Sequence, residues 1–306
     1  MFKKVLVPLD GTADSERVLD WVKPFARLGA EIHLATIVDS RHLMEAHEFA
    51  NLTDAVTEWA DQYLAGILEE VRSEFPSTSS SRGTGAPARE ILKIAEDVGA
   101  DLIAMESHRG SAVVRGILGS CTDAIVRSGR LPVLVLPPGG ASVLAPDKPA
   151  TVLIPLDGSD LAENSLPIGT EIAAAFGADV HLLRSTTSAL YAGDDFGIDV
   201  GQAWEMAIKS QEKDAGEYLD RQAALVRETV SIVTTQVSTD SGAGAITESL
   251  NDSPSTIAVM ATHGRGGLRR MVLGSVTDKV IRSSHAPILV LPPSGMPNAG
   301  ETESDV

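Results

Sequence analysis

Cysteine is almost missing from this chain: Cys121 is the single one in 306 residues. No intrachain disulfide can form, and no thiolate cluster can hold a metal. Cys121 reads as a small packed residue in the first turn of a helix, because the matching position in a later repeat is Val276. Aromatic residues are scarce as well, at 4%. Positive charge is in short supply, with 25 Lys and Arg against 42 Asp and Glu and a formal net charge of −17. A polyanion repels a phosphate backbone and an anionic bilayer surface, so neither nucleic acid nor a membrane is an expected partner. Anionic small molecules stay open, since a local group of donors outweighs a distant field at short range. No apolar run approaches the ~18 residues that span a bilayer. Met1-Phe2-Lys3-Lys4 leads straight into a short strand-like segment, without the apolar stretch and cleavage site of a secretory signal. A cytoplasmic protein is expected.

Apolar residues make up 43% and charged residues 22%, enough for a globular core, and the length suits about two domains. The most informative feature is an internal repeat. Val5-Leu6-Val7-Pro8-Leu9-Asp10-Gly11 returns as Val152-Leu153-Ile154-Pro155-Leu156-Asp157-Gly158. Gly29-Ala30-Glu31-Ile32-His33-Leu34 answers to Gly177-Ala178-Asp179-Val180-His181-Leu182. Leu118-Gly119-Ser120-Cys121-Thr122-Asp123 matches Leu273-Gly274-Ser275-Val276-Thr277-Asp278, and Pro132-Val133-Leu134-Val135-Leu136 matches Pro287-Ile288-Leu289-Val290-Leu291. Blocks repeated in the same order make a tandem duplication: residues 1–138, a Pro/Gly/Ala/Ser-rich linker at 139–150, residues 151–293, and an acidic tail at 294–306.

In each copy short apolar runs alternate with amphipathic stretches. Val5–Leu9, Ile32–Val38, Leu102–Met105 and Val133–Leu136 lack period-two alternation, as strands buried on both faces do. Val18, Leu19, Val22, Phe25 and Ala26 follow helical spacing; Gly29 suits the position past the helix end, and Pro24 predicts a kink or a shifted end. Further helices are predicted over Ala55–Val71 and Ala88–Val98, and third strands at Ser77–Thr84 and Val230–Val237. The fold class is therefore α/β, with parallel sheets whose ligands sit beyond the carboxyl ends of the strands.

Two loops meet at that edge. One carries Asp10-Gly11 and Asp157-Gly158; the other runs through Ser107–Ser120 and Thr262–Ser275 and ends at a helix start. A Gly-Ser pair at a helix N-terminus offers unpaired N–H groups and a hydroxyl, which suit phosphate oxygens. Ser120 with Asp123 and Ser275 with Asp278 equally fit a capping box, which needs no ligand. No Gly-Lys-Ser/Thr phosphate loop occurs. His108 and His263 occupy matching loop positions; a catalytic base is conceivable there, but packing beside the site is the favoured reading. His33 and His181 read as satisfied polar groups in strands, and Trp59, Tyr63, Trp204 and Tyr218 as helix packing.

Val-Pro-Leu-Asp-Gly at the first strand, Thr-His-Gly-Arg-Gly-Gly before Leu-Gly-Ser, and the closing Pro-Ile-Leu-Val-Leu resemble the universal stress protein family in both halves. The resemblance implies two tandem Rossmann-like domains, each a five-stranded parallel sheet of order 3-2-1-4-5, with fifth strands pairing between domains and further association of chains left open. It implies a stress-response protein that binds an adenine nucleotide, ATP with Mg as a candidate companion. The family's nucleotide-binding branch carries Gly, two residues, Gly, nine residues, then Gly-Ser or Gly-Thr, with an Asp after the first strand. On that pattern the second-copy site comprises Asp157, Gly158, Ala261, His263, Gly264, Arg265, Gly274, Ser275 and Val276. Ala261 replaces the first glycine, at about 1 kcal/mol if positive φ is needed there. Arg265, Arg269 and Arg270 add local positive charge, or simply form a solvated loop face. In the first copy Asp10, Glu106, Arg109, Gly119 and Ser120 form a degenerate site: Glu106 and Arg109 stand where glycines belong, with Arg109 placed to neutralise Glu106. Two other readings remain beside the nucleotide sensor, an interaction module without nucleotide and a slow ATP hydrolase; no catalytic residues are assigned.

Overall fold

The computed structural model describes residues 1–39, 52–107, 118–137, 150–186, 201–253, 255–262 and 273–293, with backbone only at 52–53 and 201–204. Residues 138–149, which hold nearly all of the linker, the tail from 294 onward, most of both site loops and the side chain of Trp204 lie outside the described residues.

The first half runs β1 (Lys4–Leu9), α1 (Ala13–Glu16), α2 (Val18–Arg27), β2 (Glu31–Val38), α3 (Leu52–Val71), β3 (Thr78–Thr84), α4 (Pro87–Val98), β4 (Leu102–Glu106), α5 (Ser120–Ser128) and β5 (Val133–Leu136). The second repeats it with β6 (Thr151–Pro155), α6 (Asp160–Glu163), α7 (Ser165–Phe176), β7 (Asp179–Ser185), α8 (Gly201–Val226), β8 (Val233–Ser238), α9 (Gly242–Asp252), β9 (Thr256–Ala261), α10 (Ser275–Ser283) and β10 (Ile288–Leu291). Helix α2 continues through Pro24 to Arg27, and Gly29 follows it with φ 94°. The chain breaks its helix earlier, at Arg17, so proline does not end it. Strand β8 begins at Val233, three residues later than its apolar run suggests.

All ten described strands join one sheet in the order β3-β2-β1-β4-β5-β10-β9-β6-β7-β8. Pairing is parallel within each half, and β5 meets β10 antiparallel through Val133↔Val290, Leu134↔Leu289 and Val135↔Ile288. Alternation sends Val5, Val7, Val152 and Ile154 to one face and Leu6, Ile103, Leu153 and Met260 to the other. Each of these two cores runs unbroken from one half into the other. On the first face Phe25 and Phe176 meet edge to face, ring centroids 5.3 Å apart. On the other, α5 and α10 bring together two Asp–Arg pairs: Arg127 bonds Asp123 at 2.7 Å and Arg282 bonds Asp278 at 2.8 Å. Arg127 also reaches Asp278 (3.5 Å), and Arg282 reaches Asp123 (3.6 Å). Hydrogen bonding from Arg282 holds the Asp278 carboxyl below its ordinary value.

The serine-rich strand β3 has a reason in its neighbour. His33 on β2 places both ring nitrogens 2.8 Å from hydroxyls, Nδ1 at Ser79 and Nε2 at Ser81. His181 on β7 repeats this with Thr234 (2.8 Å) and Gln236 (3.0 Å). Burial lowers the pKa of both imidazoles from the ordinary 6.5, so the fold holds them neutral. Above pH 6.5 neither state is penalised. Below it the unfolded chain takes up protons that the folded chain resists, and stability falls as pH drops through the lowered values. The melting temperature of the His33→Gln/His181→Gln double variant is expected to fall less than wild type between pH 7.5 and 5. Parallel curves would contradict this assignment.

Candidate functional site

At the carboxyl edge β1 lies between β2 and β4, and β6 between β7 and β9, so the chain leaves adjacent strands for opposite faces and opens a crevice. Asp10 Oδ1 accepts from the Thr12 N–H (3.0 Å) and hydroxyl (2.6 Å), and Thr12 caps α1 by accepting from the Ser15 N–H at 3.2 Å. Asp157 repeats this with Ser159 (2.9 and 2.6 Å), and Ser159 accepts from the Ala162 N–H at 3.2 Å. Gly11 and Gly158, with φ 82° and 84°, make the turn that a side chain would strain. Each aspartate is thus pinned at the crevice by its own turn.

The capping-box reading of the second loop is corrected by the geometry. Gly119 and Gly274 are the N-caps, in extended conformation, and among the described residues neither helix has a side-chain cap bond. Ser120 and Ser275 are the first helical residues, one place too late to cap. Asp123 and Asp278 turn instead to the arginines of the α5–α10 contact. First-turn N–H groups of such helices lack helical acceptors and suit an anion. Both helix starts are tied to the fourth strand: Thr122 donates to the Glu106 carbonyl (3.3 Å) and Thr277 to the Ala261 carbonyl (2.9 Å). Cys121 packs against the core, but Val276 is 40% exposed, so the repeat gives no support to packing at that position.

Glu106 and Ala261 are the last residues of β4 and β9, paired in register with Leu136 and Leu291. An extended strand residue has negative φ, so alanine at 261 carries no left-handed strain. The Glu106 side chain is 1% exposed and lies 3.7 Å from Arg17 Nη1. Arg17 sits at the α1–α2 junction, and Asn164 holds the equivalent α6–α7 position. The halves therefore differ by a coupled pair: Arg17 with Glu106 in the first, Asn164 with Ala261 in the second. Arg109, the cation expected beside Glu106, lies outside the described residues, as do His108, His263, Gly264, Arg265, Arg269 and Arg270. The coupled change is visible in the repeat, but only the fold shows that the two positions meet.

A second difference lies over the first loop. The indole of Trp59 rests on Gly11, where an added Cβ would stand 2.5 Å from Cη2, and it stacks on Tyr63 at 5.4 Å. Trp59 is 47% exposed, so it is not the core-packing residue its helical position suggests. In the second half Arg184 takes that place: an added Cβ on Gly158 would lie 3.1 Å from its Nη2, and its guanidinium stacks 4.5 Å from the Tyr218 ring centre. Tyr63 donates to Glu16 (2.8 Å) and Tyr218 to Glu163 (2.9 Å). Burial, then those carboxylates, raises both phenol pKa values. One crevice is roofed by an aromatic ring, the other by a cation.

Among the described residues no three His, Cys, Asp or Glu side chains converge to hold a metal ion, and no helix is long and apolar enough to cross a membrane.

The sequence model of the universal stress protein family matches residues 1–137 and again 150–292. The chain belongs to the universal stress protein family. A universal stress protein of Methanocaldococcus jannaschii is 30% identical over 154 residues, covering 44% of this chain and 95% of that protein. A universal stress protein of Mycolicibacterium smegmatis is 25% identical over 303 residues, covering 94% of this chain and 97% of that one, so the tandem length is shared. A solved universal stress protein from Archaeoglobus fulgidus superposes over 95% of this chain and 98% of its own with a TM-score of 0.68; at 21% identity it shows the shared fold.

Proposed function

We propose that this universal stress protein is a regulatory adenine-nucleotide sensor of the stress response, with its ATP site in the second half. The observation that carries the reading is the α10 start: a Gly274 N-cap, then Ser275 and Val276, tied to the end of β9 by the Thr277 bond to the Ala261 carbonyl, on the same carboxyl edge as the Asp157-Gly158 turn that follows β6. Arg184 adds positive charge over Gly158, which favours an anion. His263, Gly264 and Arg265 complete the site on the family pattern; any Mg would come on the phosphates, because the described residues offer no cage of their own. The domain limits 1–138 and 151–293, the linker between them and a cytoplasmic location belong to the same proposal.

The first half favours a different use. Its Gly119-Ser120 helix start has the same open geometry, but Glu106 brings a carboxylate and Trp59 covers the Gly11 turn. Those two features support an interaction role there, without nucleotide. Denaturing extraction of the purified protein with mass spectrometry, followed by ATP calorimetry of the stripped chain, tests both statements. One adenine nucleotide per chain is the expected result. Two equivalents would overturn the asymmetry, and neither released nucleotide nor heat at millimolar ATP would overturn the sensor.

A further inference from the structure

The amino ends of the strands, opposite the nucleotide edge, also differ between the halves. In the first half Lys4 pairs in register with Glu31, and its ammonium lies 2.8 Å from the Glu31 carboxylate. Asp101 accepts from the N–H groups of Lys3 (2.8 Å) and Lys4 (3.0 Å). Above these strands α4 packs on β2 and β3, with Ile94 buried at its eighth position. Here the chain supplies the ammonium itself.

In the second half the same register brings Thr151 opposite Asp179, so the carboxylate is kept and the lysine is gone. Thr256 stands where Asp101 stood, one residue before the matched pairs Val5↔Leu102 and Val152↔Ile257. The eighth position of α9 is Ser249, not isoleucine, and α9 packs on β7, β9 and α10. What remains is a cleft of about 410 Å³ floored by Thr151, Thr256 and His181 and edged by Asp179, Glu248 and Asp252. No lysine or arginine is among its lining residues. Thr256 is 2% exposed, strand alternation with Ala258 and Met260 turns it toward α9, and its hydroxyl finds no partner among the described residues. A buried hydroxyl in that state asks for a donor or acceptor from a ligand. Both nitrogens of His181 are engaged by Thr234 and Gln236, which fixes the floor. Since no three metal-ligating groups converge among the described residues, the cleft suits an organic cation and not a bare metal ion.

We propose that this cleft binds a primary-amine ligand, a linear diamine or polyamine, whose ammonium takes on Asp179 the place that Lys4 takes on Glu31. An ammonium has three donors for the Asp179 carboxylate and the Thr151 and Thr256 hydroxyls. Further amines along the chain face Glu248 and Asp252. The site lies at the other end of the strands from the nucleotide edge and does not depend on nucleotide binding.

The test is spermidine calorimetry on the full chain at physiological salt. Saturable binding of one equivalent is expected, with no binding of glucose as a neutral polyol. Thr151→Lys restores the first half's internal ammonium and should weaken spermidine by at least about tenfold. Thr229→Lys, an exposed site outside the cleft, makes the same charge change and should leave binding in place. Ser249→Ile, the first half's residue, should also weaken it by filling the cleft. No saturable heat, equal loss in Thr151→Lys and Thr229→Lys, or equal binding of glucose would each overturn the proposal.

Discussion

Gly274→Asp is expected to abolish ATP binding while leaving the fold intact or slightly firmer. Gly274 caps α10 with φ −58° and ψ 143°, a conformation open to any residue. Aspartate is among the best N-caps, so the helix start gains a side-chain bond that it lacks in the native chain. The same carboxylate would face the phosphates. At ~4 Å and an effective dielectric near 20 the repulsion is about 4 kcal/mol. That is nearly three decades of affinity. Calorimetry with ATP and a thermal melt separate the two effects: binding lost with Tm held or raised is the predicted pair. Gly119→Asp, the matching change in the first half, should leave the one-equivalent stoichiometry untouched. Unchanged affinity in Gly274→Asp would remove the phosphates from α10.

The second large effect concerns stability. Arg17→Asn puts the second half's residue opposite a carboxylate whose side chain is 1% exposed. Removing the Arg17 side of this half-buried pair takes away part of the compensation of a buried carboxylate, at about 3 kcal/mol. The fall in Tm should be roughly 5–10 °C. Adding Glu106→Ala completes the second half's Asn/Ala combination and should recover most of the loss, because the buried charge leaves with its partner. A double-mutant cycle read by denaturant unfolding checks this. Additive losses would show that Arg17 and Glu106 do not act as a pair.

What could be read from the sequence was whatever repeats locally. Apolar runs bounded by glycine and proline mark β1, β4 and β5 closely, and the Asp-Gly turns follow β1 and β6. The capping pattern puts the helix starts one residue late, with Ser120 and Ser275 as caps, because serine three residues before an acid satisfies that pattern whether or not the backbone turns there. Nothing in the sequence marks Arg17, since its meaning depends on Glu106 far along the chain. Trp59 looked like one residue of a helical stripe, and only the close approach of α3 to the β1 turn lays it on Gly11. The amino-end cleft is legible afterwards as Lys4 against Thr151 and Ile94 against Ser249, but a difference between copies becomes a cavity only when the strands and α9 are in place.

The antiparallel seam between β5 and β10 has a consequence for how the protein behaves on dilution. Two separate polypeptides joined at such a seam would part as their abundance drops, and each would expose its fifth strand to unintended partners. Here the halves share one polypeptide, so reunion is a unimolecular event set by tether length. The pairing, and any signal relayed across it, should therefore be the same in a scarce and an abundant cellular pool.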